Sequence, residues 1–132
     1  MRTYSFSIPL KLPGLNEYTA ACRSNAFVGA KMKKDAEEQI RWCIRSQLGA
    51  AVKAKHLPPK VPVKVYFKWQ EGSKHPRDKD NIAMAKKFIL DAMVAEDVII
   101  NDGWDYIDSF EDSFCRGHGY SVVVDIAVLD KL

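Results

Sequence analysis

Apolar and polar residues alternate at the start of the chain. Tyr4, Phe6 and Ile8 stand against Thr3, Ser5 and Ser7, which predicts a half-buried strand over residues 3–9. Pro9, Pro13, Gly14 and Asn16 mark a loop after it. From Ala30 to Lys53 the apolar residues Met32, Ala36, Ile40, Cys43, Ile44, Leu48 and Ala51 recur at helical spacing, with Lys31, Lys33, Lys34, Arg41 and Arg45 off the stripe and Trp42 nearly opposite Ile40. The linker Lys55-His56-Leu57-Pro58-Pro59-Lys60 breaks that helix, and Val61, Val63, Val65, Phe67 and Trp69 alternate as a second strand. A polar loop runs from Glu71 to Lys79. Asn81–Ala95 then reads as a second helix, with Ile82, Ala85, Phe88, Ile89, Ala92 and Met93 on one side and Asp80 as its N-cap. Asn101-Asp102-Gly103 is a turn signal, and Asp105–Phe114 and Tyr120–Leu129 read as two strands around Arg116-Gly117-His118-Gly119. The order is β-α-β-α-β-β: an α/β (α+β) fold with a small mixed sheet of about four strands and two main helices. Neither an internal repeat nor a second unit is visible, so residues 1–132 read as a single domain.

Composition narrows the class. At 47% hydrophobic and 28% charged residues, the 132-residue chain has the balance of an ordinary globular domain. No stretch approaches the roughly 18 apolar residues of a membrane span, and the N-terminus lacks a signal-peptide apolar run. Cys22, Cys43 and Cys115 are odd in number and widely spaced, which argues against a disulfide framework or zinc site and favours a reducing cytoplasm. Charge changes the picture more. Residues 1–87 hold 18 Lys and Arg against 7 Asp and Glu, whereas residues 88–132 hold 2 against 10. A basic half suits a polyanion and an acidic stretch suits a metal, which together are what a metal-dependent enzyme acting on nucleic acid needs.

The chemistry concentrates between Arg77 and Trp104. Asp78 and Asp80 are two residues apart, so in extended backbone their carboxylates point the same way. Two convergent carboxylates with open positions suit a hard, hydrated cation such as Mg2+. On a continuous helix Lys87 and Asp91 would fall within about 20° of Asp80. A solvated turn with a cap and a surface i,i+4 pair account for the same residues without chemistry.

This segment resembles the RusA family of Holliday-junction resolvases. The matching residues are Asp78-Lys79-Asp80-Asn81, then Lys87-Phe88-Ile89-Leu90-Asp91-Ala92-Met93, then Asn101-Asp102-Gly103. Tyr4–Pro9 and Gly14-Leu15-Asn16-Glu17-Tyr18 also look like that family's first strand and Pro/Asn loop. The resemblance implies a RusA-like fold and a homodimeric, Mg2+-dependent endodeoxyribonuclease, with Mn2+ able to substitute, that nicks branched DNA and chiefly four-way junctions in recombination and repair. It carries the metal-binding acids onto Asp78, Asp80 and Asp102 and the catalytic lysine onto Lys87. Asp91, four residues from Lys87, is expected to orient that lysine, and Asn81 and Asn101 are expected to support the site. The chain departs from the pattern in two places. It has about one extra helical turn before the lysine, and on the shorter spacing Met84 stands at the lysine position. It also has Asn101-Asp102 where many members have two aspartates.

Arg77, Lys79, Lys74 and Lys86 surround this segment as candidate phosphate contacts, with a solvated face as the other reading. Asn16 joins them by resemblance only. Trp42, Trp104 and Tyr106 could stack on bases or serve packing and dimer contacts. His56, His75 and His118 show no metal-ligand spacing. A branched-DNA-binding protein without cleavage is the alternative reading, although uncompensated acids would repel DNA.

Overall fold

The computed structural model describes residues 2–130. Its elements are β1 (Arg2–Ile8), α1 (Leu15–Ser24), α2 (Ala26–Lys53), β2 (Val63–Glu71), α3 (Lys79–Ala83), α4 (Lys86–Ala95), β3 (Ile107–Arg116) and β4 (Ser121–Val128). The four strands form one mixed sheet in the order β1-β4-β2-β3. β4 is antiparallel to both β1 and β2, while β3 runs parallel to β2. The fold is therefore α+β with a four-stranded mixed sheet, as the alternation of apolar positions indicates.

The inward residues line up across the sheet. Phe6 faces Val124, Val124 faces Phe67, and Phe67 faces Asp112. This face is covered by α2, through Ala36, Ile40, Ile44 and Leu48, and by α4, through Phe88, Ile89, Ala92 and Met93, all buried. Trp42, off the apolar stripe, is 67% exposed. The opposite sheet face carries Ser5, Asp125 and Lys68, which bond to one another. At the β1 edge the Gln47 amide stands in for a neighbouring strand. It accepts from the Ser7 N–H at 2.8 Å and donates to the Ser7 carbonyl at 2.8 Å, which blunts that edge. β3, at the other edge, has no fully buried residue.

Four expectations need correction. The loop expected around Pro13 and Asn16 gives way at Leu15 to helix α1, which packs mainly on α2 and sets Tyr18 edge-on against Phe88 of α4. The long helix begins at Ala26 rather than Ala30, because the Asn25 side chain caps it by accepting from the Val28 N–H at 3.0 Å. Asp80 is not the N-cap of the next helix. Asp78 holds that position without a side-chain cap bond, and the Asp80 carboxylate accepts from the Asn81 N–H at 2.9 Å. Finally, Asn81–Ala95 is not one helix. It breaks at Met84-Ala85, where Ala85, Lys87 and Phe88 donate to carbonyls three residues back. These tighter turns advance each residue by about 120° instead of 100°. The single wheel on which Asp80, Lys87 and Asp91 share a face is thereby interrupted.

β3 and β4 are consecutive but unpaired, because β4 inserts between β1 and β2. The connection over residues 117–120 must therefore step across the end of β2. It is held there by Gly117 N–H to the Glu71 carbonyl and by the Gln70 side chain to the Gly119 carbonyl. Gly119 has φ +114°, and a Cβ on Gly72 would stand 2.7 Å from Gly119 backbone. Gly72→Ala is expected to cost about 1–3 kcal/mol through this overlap, read as a lowered thermal midpoint.

Candidate nucleic-acid and metal site

The acid pair is set by a buried ion pair. β2 continues its inward alternation past Trp69 to Glu71, which is 4% exposed. Glu71 accepts from Arg77 Nη2 at 2.6 Å, from Arg77 Nε at 3.1 Å and from the Arg77 main-chain N–H at 3.3 Å. Arg77 also donates to the Leu12 carbonyl at 2.9 Å and lies 3.5 Å from Glu17. Burial alone would push the Glu71 carboxyl up, but the Arg77 hydrogen bonds and charge outweigh it and leave the group below its ordinary value. The side-chain hydrogen bonds that Arg77 donates to Glu71 raise Arg77 in turn. Arg77 thus ties the chain just before Asp78 to the end of β2 and to the loop before α1. Its guanidinium is occupied within the fold rather than free for phosphate.

Asp78 and Asp80 follow this clamp, both exposed, but Asp80 already lies in helix α3, so the extended backbone expected to aim both carboxylates the same way ends at Asp78. Asn81 points the other way, its side-chain oxygen accepting from the Asn16 N–H at 2.9 Å. Asn81 therefore ties α3 to α1, and Asn16 meets it through its main chain. The Lys79 ammonium lies 5.6 Å from the centre of the Phe114 ring, on the inward face of β3. Lys74 is exposed, and its carbonyl accepts from Arg116.

The two lysines of α4 diverge. Lys87 is 61% exposed and pairs with Asp91 at 3.3 Å. Asp91 also meets Lys33 of α2 at 3.6 Å. Beside them burial pushes the Glu37 carboxyl up, and the Asp91 charge adds to it against Lys33. Lys86 instead reaches the sheet, where its ammonium is 2.7 Å from Asp112 of β3. The other Asp112 oxygen accepts from the Trp69 indole at 2.9 Å. Lys86 was expected as a phosphate contact, but Asp112 and Trp69 were not among the residues expected to act. An acid between Phe110 and Phe114, at an inward strand position, was the cluster's one sequence signal. Glu71 carried the same kind of signal, a charge continuing the buried phase of β2.

Asp102 lies elsewhere. Asn101 accepts from the Gly103 N–H at 2.8 Å and closes the turn. Asp102 lines a shallow hollow with Trp104, Ile107, Asp108 and Phe110 at the start of β3. Trp104 is 99% exposed. Since β2 and β3 are parallel, Asp78 and Asp80 follow the far end of β2, whereas Asp102 precedes the near end of β3. Among the described residues no three His, Cys, Asp or Glu side chains group to hold a metal ion. Asp78, Asp80 and Asp102 are therefore not brought together within one chain.

No protein-family model matches the chain, and no curated protein matches it.

Proposed function

We propose that this protein is a Mg2+-dependent, structure-specific endodeoxyribonuclease that nicks branched DNA, four-way junctions foremost, and acts as a homodimer in the cytoplasm. The observation that supports it most is the exposed Asp78–Asp80 pair held at the head of α3 by the Glu71–Arg77 clamp, with Lys79 between the acids. Hard carboxylate oxygens that face solvent fit a cation that keeps most of its water. When bound there, Mg2+ would supply an activated water and neutralise the scissile phosphate. The chain's own part is to hold Asp78 and Asp80 in place and to present lysines to the phosphates on either side. Asp102 can join the pair only from a second copy of the chain, since the β2-to-β3 crossover separates the acids along the strands. No helix among the described residues is long and apolar enough to cross a membrane.

The separation of Asp102 from the pair also favours a second reading, a branched-DNA-binding protein that does not cleave. Labelled four-way, Y-shaped and linear duplex DNA, incubated with and without Mg2+ or Mn2+, separates the two. Paired nicks in the four-way substrate only with metal are expected. Salt-sensitive binding without nicks in either metal would favour the binding protein, and absence of binding would defeat both readings.

A further inference from the structure

Resting on the nuclease reading, we propose that Asp112 and Trp69 are positioning residues that hold the Lys86 ammonium for the substrate phosphate. Asp112 spends both oxygens on this arrangement, one on Lys86 at 2.7 Å and one on the Trp69 indole at 2.9 Å. The carboxylate is fixed from behind by a buried ring and faces Lys86 in one orientation. The ammonium is flanked by two further rings, 5.2 Å from the centre of Phe67 and 5.0 Å from that of Phe110. Lys86 therefore sits in a defined place, unlike an exposed lysine on a flexible stem.

An ion pair in this position is a poor device for stability alone. The Lys86 and Asp112 side chains are 20% and 25% exposed, so both have lost much of their hydration. Aliphatic side chains of similar size would pack against Phe67 at no such cost. The arrangement makes sense for a cation that is needed at the rim. Phe110 beside it is 41% exposed, so the site is open on the β3 side. An ammonium has three donors, and one goes to Asp112, leaving others for phosphate oxygens. Lys79 and Lys86 stand over Phe114 and Phe110, two inward positions of one strand about 13 Å apart. A backbone crossing the acid pair along this strand meets both. During hydrolysis the water oxygen bonds to phosphorus, the bond to the leaving oxygen breaks, and the water proton ends on the leaving oxygen. Lys86 changes no bond. Its charge offsets what gathers on the phosphate oxygens in the transition state.

The test is single-turnover cleavage of a four-way junction by the full chain with Mg2+, with affinity measured separately in Ca2+. Lys86→Ala should lose roughly 100- to 1,000-fold in rate and little affinity, and Lys86→Arg should recover part of the loss. Asp112→Asn and Trp69→Phe should each slow cleavage about tenfold, and neither should slow it further in the Lys86→Ala background. Positioning through Lys86 requires that non-additivity, whereas a purely structural role slows both backgrounds alike. Should Asp112→Asn fail to fold, the Trp69→Phe cycle decides the same question. Normal cleavage by Lys86→Ala, additive losses, or a larger rate loss in Lys87→Ala than in Lys86→Ala would each overturn the assignment while leaving the nuclease reading intact. A wild-type chain that binds junctions and never cuts them would defeat the nuclease reading and this one with it.

Discussion

Mixing Asp80→Asn protein with Asp102→Asn protein is expected to restore cleavage that neither variant has alone. On the proposed nuclease reading each substitution removes a ligand charge for the metal and should abolish nicking, while junction binding survives or tightens because repulsion of phosphate is also removed. The outcome of mixing depends on which chain supplies Asp102. If each site takes Asp78 and Asp80 from one copy and Asp102 from the other, a mixed dimer holds one intact site and one doubly substituted site. Random exchange makes half the dimers mixed, so about a quarter of wild-type sites return. If all three acids belonged to one chain, every site in a mixed dimer would lack one of them and nothing would return. The parallel pairing of β2 and β3 sets the expectation, since it puts the acid pair and Asp102 near opposite ends of the strands. The measurement is Mg2+-dependent nicking after the two proteins are refolded together. No recovery would refute the shared site.

Arg77→Ala is expected to cost about 3–5 kcal/mol of stability at neutral pH, the penalty for leaving a buried carboxylate without its partner. Urea denaturation measures it directly. The pH dependence should change sign as well. In the wild type Glu71 is held below its ordinary value. Its contribution is therefore complete above the unfolded carboxyl value of roughly 4.3 and is lost as pH falls through the lower folded value. Without Arg77 burial dominates, and the folded Glu71 value rises above the unfolded one. The variant then recovers stability as pH falls toward acid, where the carboxyl is protonated and neutral. A loss near zero, or an unchanged acid profile, would mean that the clamp does not hold this end of β2. Glu96, kept low chiefly by its Arg45 and Arg41 hydrogen bonds, adds acid sensitivity to both proteins alike and does not obscure the difference.

The sequence by itself determined which stretches have a buried face. The alternation of Tyr4-Phe6-Ile8, of Val63 to Trp69 and of Val122 to Val128 marks three strands, and the four-residue spacing from Ala36 to Leu48 marks α2, because periods of 2 and 3.6 are local properties of backbone geometry. It likewise exposed Trp42 and placed Asp78 and Asp80 beside a basic loop. It did not determine that β4 lies between β1 and β2, since alternation says which side of a strand is buried and nothing about its neighbour. Helix α1 was hidden because Ala21 is its one buried residue, so little apolar periodicity marks it, and it is held by packing on α2 and by Tyr18 against Phe88, 70 residues away in the chain. Which lysine of α4 reaches the sheet is set at two residues, Met84 and Ala85. There the backbone tightens and turns the helix, so Lys86 meets Asp112 and Lys87 meets Asp91. Inward charges show the same division. Glu71 and Asp112 stand at buried phases that can be read from the sequence, but a charge at such a position is tolerable only when paired. Arg77 and Lys86, the partners that pair them, are supplied by the tertiary fold.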